Sequence, residues 1–287
     1  MENLIGESLL DVKFGKRKIR KQLALLLWVF CISLVLSSCS YNDQDYGVFL
    51  SYEGDLDSLA EFDTVVIDAQ YFEAADIAEF RSEGHKVYSY INVGSLENFR
   101  DYYAEYQDLT LDVYENWEDE KWVDATSERW QSFILDELAP SLLAKNIDGF
   151  FVDNCDVYYM YPNDEMLDGV ATIMNGLVAT GKDVIMNGGD AFIEGYTENG
   201  GDFRDVITGI NQESVFTRID WENDRFYGSF KEDREYFLEH LGKYSDMGVD
   251  IYLLEYTKNP FIAMMVKNYC DKHGYRYYIS DSLELGI

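Results

Sequence analysis

The chain has 287 residues, 47% of them hydrophobic and 16% aromatic, and a formal net charge of −31. That length suits one large domain, or one domain with a short appendage, and the apolar fraction is enough for a sizeable core. So acidic a surface repels nucleic acid and anionic polysaccharides and attracts cationic ligands, although a merely soluble surface would carry the same sign.

Residues 1–38 read as an export signal, outside the fold. Lys13, Lys16, Arg17, Lys18, Arg20 and Lys21 form a basic segment, Leu23 to Leu36 is an apolar run of 14 residues, and Leu36-Ser37-Ser38-Cys39 follows. The run is short of the about 20 residues that a membrane-spanning helix needs. The pattern resembles a bacterial lipoprotein signal, whose cleavage would leave Cys39 as a lipidated N-terminus; an uncleaved signal anchor is the alternative. Two or more acyl chains would hold the protein firmly to a membrane. The expected location is that of an exported lipoprotein of the cell membrane or cell surface, on the periplasmic or extracellular face. Without the signal the chain has 17 basic and 51 acidic residues, or −34. Residues 39–46 read as a polar linker and 47–287 as the domain. An exported domain permits a disulfide. Cys155 follows a strand and Cys270 sits late in a helix pattern, however, so two free thiols are expected. No cysteine spacing indicates a metal.

After the linker, apolar strand candidates alternate with helical stretches. Gly47–Leu50 is the first strand, followed by a short helix over 56–61. Thr64–Asp68 is the second, followed by a helix over 74–83 that Gly84 stops. Val87–Asn92 is the third. The stretch from 94 to 124 is acidic and rich in Tyr and Trp, and a loop of that length in a compact domain usually carries function. A helix over 127–145 follows, broken or kinked at Pro140. Phe150-Phe151-Val152-Asp153 is the fourth strand, apolar without alternation, as suits burial on both faces. Next come a helix over 166–180, strands Val184–Asn187 and Val206–Glu213, and a helix over 231–247. Strand Ile251–Glu255, a helix over 261–273 and strand Tyr275–Ser280 complete the pattern. Eight strands alternating with helices over about 240 residues predict an α/β fold, a (β/α)8 TIM barrel. Its eighth helix is short or absent, reduced to Leu283–Leu285. A doubly wound open sheet is the competing architecture, but its Gly-rich fingerprint after the first strand is missing.

In such a barrel the chemistry sits at the C-terminal strand ends. Asp68, Asn92, Asp153, Asn187, Glu213, Glu255 and Asp281 stand there. Each alone could cap a helix or carry a solvated charge. Together they describe a mouth for a hydroxyl-rich ligand. The 23 Tyr suit a sugar or peptide cleft, or equally a Tyr-rich barrel exterior. His85, His240 and His273 are away from the predicted strand ends, which argues against a histidine-rich zinc site and a Ser-His-Asp triad. No phosphate-cradling Gly-Lys-Ser/Thr turn is present, and Gly188-Gly189 more simply lets backbone pass close to a ligand. Neither metal nor cofactor is implied. A pair of carboxylates remains. Glycoside cleavage needs two, one to attack or activate water and one, with a raised pKa, to protonate the leaving oxygen.

Several motifs carry a more specific likeness. They are Tyr90-Ile91-Asn92-Val93-Gly94-Ser95-Leu96-Glu97, Trp122-Val123-Asp124, Asp148-Gly149-Phe150-Phe151-Val152-Asp153-Asn154, Ile210-Asn211-Gln212-Glu213 and Leu254-Glu255-Tyr256. Across residues 47–281 the chain resembles glycoside hydrolase family 114, the endo-α-1,4-polygalactosaminidases. The resemblance implies that Asp153 and Glu213 are the catalytic pair, with Asp153 the nucleophile and Glu213 the acid, then base. It implies a cationic, galactosamine-rich polymer as substrate. Asp68, Asp124 and Glu255 are then expected to bind its ammonium or hydroxyl groups, and Tyr90, Asn92 and Asn187 to add hydrogen bonds or stacking. A monomer is expected, with no nucleic-acid partner. A non-catalytic amino-sugar receptor and a hydrolase for another α-linked glycan are the alternatives.

Overall fold

The computed structural model describes residues 45–286 apart from 116 and 224; the expected export signal and Cys39 lie outside them. Eight parallel strands form one sheet: β1 (Tyr46–Phe49), β2 (Thr64–Ile67), β3 (Lys86–Asn92), β7 (Gly149–Asp153), β8 (Asp183–Asn187), β9 (Gly209–Glu213), β12 (Asp250–Tyr256) and β13 (Arg276–Ser280). They are hydrogen-bonded in that order, every pairing parallel. The two end strands meet where the Phe49 ring packs 5.2 Å from that of Tyr278. The result is a nearly closed (β/α)8 barrel. β1 starts at Tyr46, so the barrel takes in the last residue of the predicted linker.

The unalternating strand at 150–153 has a direct cause. Phe150 and Val152 pack into the apolar layer between sheet and helices, while Phe151 fills the barrel interior with Val48, Val66, Ile185 and Leu254. Both faces of the strand are buried, so both need apolar side chains. Three tyrosines, Tyr46, Tyr88 and Tyr252, share that interior.

Four regions differ from the sequence reading. The stretch from 94 to 124 is no open loop: β4 (Ser95–Glu97), β5 (Thr110–Val113) and β6 (Glu120–Val123) form a small antiparallel sheet beyond β3. The predicted helix over 127–145 runs through a π-helical segment, Phe133–Leu138, bounded by Glu128–Ser132 and Ala139–Leu143. Pro140 has no N–H to donate, and the wider turn just before it accommodates that loss. A helix at Asp190–Glu198 was not foreseen, because Phe192 and Ile193 alone form its buried face. Beyond β9, β10 (Thr217–Asp220) and β11 (Arg225–Gly228) make a hairpin where no element was expected. Residues 281–284 form bends and a turn in place of an eighth helix. Cys155 and Cys270 are buried, unbridged thiols.

Candidate active site

Three neighbouring strands end in polar side chains: β7 in Asp153, β8 in Asn187 and β9 in Glu213. The residue after each turns the chain through a left-handed conformation, Asn154 at φ 64°, Gly188 at 64° and Ser214 at 57°. For a residue with a side chain this costs about 1–2 kcal/mol, and Asn tolerates it well. Asn154 is held there by its amide, which donates to Ser95 Oγ at 3.1 Å and reaches Glu120 Oε2 at 3.4 Å. Gly94 makes the turn possible: a Cβ there would lie 1.8 Å from the Asn154 carbonyl oxygen.

One amide joins the two carboxylates. Asn187 Nδ2 donates to Asp153 Oδ1 at 2.9 Å and to Glu213 Oε1 at 2.8 Å. The two hydrogens of a planar amide diverge widely, which puts the two accepting oxygens about 5 Å apart. The other oxygens meet phenols. Tyr90 Oη lies 3.2 Å from both Asp153 Oδ2 and Glu97 Oε1, and Tyr256 Oη donates to Glu213 Oε2 at 2.8 Å. Burial, then the charges of Glu213 and Glu120, push the Asp153 carboxyl up to about 8. Burial raises Glu213 too, against the hydrogen bonds of Asn187 and Tyr256. Two carboxylates this close do not both ionise readily, so the free pair keeps a proton near neutral pH.

The pair lies in a cleft of about 660 Å³. Among the described residues, eleven Asp and Glu side chains line it against one cation, Arg100. Glu120 is raised to about 7 by burial and then by Glu97, and Asp156 to about 6 by burial and then by Asp190. Aromatic rings form the walls, including Tyr71, Tyr114, Trp117 and Trp221. Trp117 precedes β6 and Trp221 follows β10, and their rings touch edge-on at 5.9 Å. Among the described residues no group of His, Cys, Asp or Glu is arranged to hold a metal ion.

The structure brings together Asp153, Glu213, Asn187 and Tyr90. Four other expected ligands take different places. Asp68 lines the cleft but is ion-paired with Arg100, which it shares with Glu97 at 2.8 Å, so it is already engaged by a cation of the protein. Asn92 is buried behind Tyr90, donating to its hydroxyl at 3.0 Å and to Ser95 Oγ at 2.7 Å. Asp124 does not line the cleft; it accepts from Thr126 N at 3.0 Å and Thr126 Oγ1 at 2.6 Å, closing a turn. Glu255 is fully buried and accepts from Phe216 N at 2.8 Å and Thr217 Oγ1 at 2.5 Å. It therefore anchors the turn that follows Glu213. β12 runs one residue past the predicted strand end, and alternation then turns Tyr256 to the mouth and Glu255 away from it. Asp281 is exposed beside Lys258. Glu120, Asp156, Asp190, Asn211, Tyr256 and the two tryptophans were not singled out as site residues. The density of acids and aromatics in 94–124 was the available signal for Glu120 and Trp117.

A (β/α)8 barrel whose mouth holds two amide-bridged carboxylates, in an acidic cleft walled by aromatic rings, defines a barrel glycosidase. The chain belongs to glycoside-hydrolase family GH114, whose sequence profile matches residues 40–280. Among solved structures it resembles the glycoside hydrolase domain of PelA from Pseudomonas aeruginosa, with a TM-score of 0.72 and 19% identity, covering 84% of this chain and 96% of that one. It also resembles Aspergillus fumigatus Ega3, solved with galactosamine, at 0.66 and 16% identity, covering 85% and 92%. An α-galactosidase from Thermus thermophilus shares the barrel at 0.51 and 12% identity, covering 85% and 59%. At these identities the likeness is one of fold. A comparison with curated protein sequences finds no match.

Proposed function

We propose that this glycosidase is an exported, lipid-anchored endo-hydrolase that cuts an α-1,4-linked, galactosamine-type cationic polysaccharide with retention of configuration. The observation that carries the chemistry is the amide bridge: one Asn187 nitrogen serves both carboxylates, so the pair is closely spaced. Retaining glycosidases keep their carboxyl groups about 5–5.5 Å apart, and inverting ones leave about 6.5–9.5 Å for a water. Asp153 attacks the anomeric carbon while Glu213 gives its proton to the departing glycosidic oxygen. Glu213 then takes a proton from water, whose oxygen displaces Asp153 and releases the sugar.

The electrostatics favour an amino sugar. Asp153 must be ionised to attack, yet in the free cleft Glu213 and Glu120 oppose its ionisation. A substrate ammonium among these carboxylates would offset that repulsion and favour the nucleophilic form. The wall rings offer faces for sugar stacking. The anchor rests on the sequence around Cys39 alone.

The test uses soluble protein lacking residues 1–39, with polygalactosamine and its N-acetylated form as substrates. Short oligomers released early, with the α anomer first by NMR, are expected. A β anomer would overturn retention, monomer alone would overturn endo action, and preference for the acetylated polymer would overturn the cationic substrate. The anchor is tested separately in the full chain: labelled fatty acid should be incorporated by the wild type and not by Cys39→Ala, and an unlabelled wild type would refute it.

A further inference from the structure

We propose that Asn211 and Tyr46, neither of which lines the cleft, are positioning residues that fix which end of the Asn187 amide faces Asp153 and Glu213. The inference rests on reading those two carboxylates as the catalytic pair. An amide has a donating end and an accepting end, and carboxylates need the donor. Seen from the pair alone, nothing holds the Asn187 side chain against a half-turn whenever the pair is protonated. The hold comes from behind. Asn211 Nδ2 donates to Asn187 Oδ1 at 2.7 Å, and Asn211 Oδ1 accepts from the Tyr46 hydroxyl at 3.3 Å.

These residues come from separate strands of the barrel, Tyr46 on β1, Asn211 on β9 and Asn187 on β8, with Asn187 and Asn211 direct register partners. Tyr46 and Asn211 are fully buried, so no water substitutes for a lost partner. The polarity of each link dictates the next. The Tyr46 hydroxyl donates to Asn211 Oδ1, and with its oxygen so engaged Asn211 presents nitrogen to Asn187. Asn187 in turn presents nitrogen to both carboxylates. Reversing any link would set oxygen against oxygen at the catalytic pair. This explains a polar chain through a barrel interior that also holds Val48, Val66, Phe151 and Ile185.

The experiment is the pH dependence of kcat/KM on polygalactosamine, with folding followed by thermal melting. In Asn211→Asp, a carboxylate of nearly the same shape accepts from Asn187 and turns its oxygen toward the pair. Both catalytic carboxylates lose a donor that favours their ionised forms. The acidic limb of the profile is expected to move up by about one pH unit. Tyr46→Phe releases the far end of the chain and should move the limb the same way, by less. Tyr90, Glu97, Glu120, Asp156 and Tyr256, which face the pair from other elements, are unchanged in both variants. A purely structural role would lower the melting temperature and leave the limb in place, and that result overturns the proposal. If Asn211→Asp does not fold, the Tyr46→Phe profile decides by the same criterion. Asp153→Asn and Glu213→Gln, assayed in parallel, separate the two readings. Should they stay active, the catalytic assignment falls; should they be inactive while the limb is unmoved, only the positioning role falls.

Discussion

At the scale of single residues, two carboxylates are proposed to carry the reaction and two others hold the frame. Asp153→Asn and Glu213→Gln keep shape and remove the nucleophile or the acid, effects often worth 10²-fold or more. Each is expected to lose at least about that factor in kcat while the fold is retained. A wild-type rate from either variant would refute its role. Glu255 and Asp124 make the contrast. Glu255→Ala orphans the buried Phe216 N–H and Thr217 hydroxyl. It should cost about 2–4 kcal/mol of stability in urea unfolding. Asp124→Asn, away from the cleft and in a turn, should leave KM within about twofold; a large rise would return Asp124 to the substrate site.

At the scale of elements, the barrel aims the pair through its strand ends. β3 and β7 are register partners at Asn92 and Asp153, and the chain beyond each turns at once. Gly94 and Asn154 pass so closely there that no Cβ fits between them. Gly94→Ala must therefore push the end of β7 aside, and Asp153 with it. The expected outcome is a loss of about 1–3 kcal/mol in denaturant unfolding, with kcat falling far more than KM rises. Unaltered kinetics would mean that the strand end does not place the nucleophile. The small β4-β6-β5 sheet and the β10-β11 hairpin bring Trp117 and Trp221 over the cleft, so the substrate walls come from the insertions and the chemistry from the barrel. That division explains why the polar strand-end residues of the mouth were legible in the sequence and the wall residues were not.

At the scale of the whole molecule, charge sets two expectations. Asp153 at about 8, Glu120 and Glu255 at about 7 and Asp156 at about 6 are all raised above the usual carboxylate range. The folded protein thus holds protons that the unfolded chain releases above pH about 4. Stability should be greatest in mild acid and fall as pH rises through 6 to 8, by up to about 1.4 kcal/mol per pH unit for each such group within its window. Melting temperature should drop between pH 5.5 and 8.5; a rise would show that these groups ionise freely on folding. The second expectation concerns the substrate. A chain at −31 concentrates a polycation, and the Debye length shrinks from about 10 Å at 0.1 M salt to about 3 Å at 1 M. Activity on polygalactosamine should fall steeply over that range. If it does not, the charge is only a solvated surface.

The sequence by itself determined the barrel, because strand and helix periods and the burial of both strand faces are local patterns of side chains, as at Phe150, Phe151 and Val152. It also placed Asp153, Asn187 and Glu213, because a barrel carries its chemistry at strand ends and those ends can be counted. It misjudged Glu255, since one more residue of strand reverses which side chain faces the mouth. It could not show that Asp68 is paired with Arg100 at the cleft or that Asp124 closes a turn away from it, since a carboxylate reads the same whether it is free, paired or closing a turn. Only the tertiary structure decided that one amide bridges the pair and that Tyr46, 165 residues from Asn211, stands behind it. Those contacts join strands far apart in the chain, and no local pattern records which side chains closure of the barrel brings together.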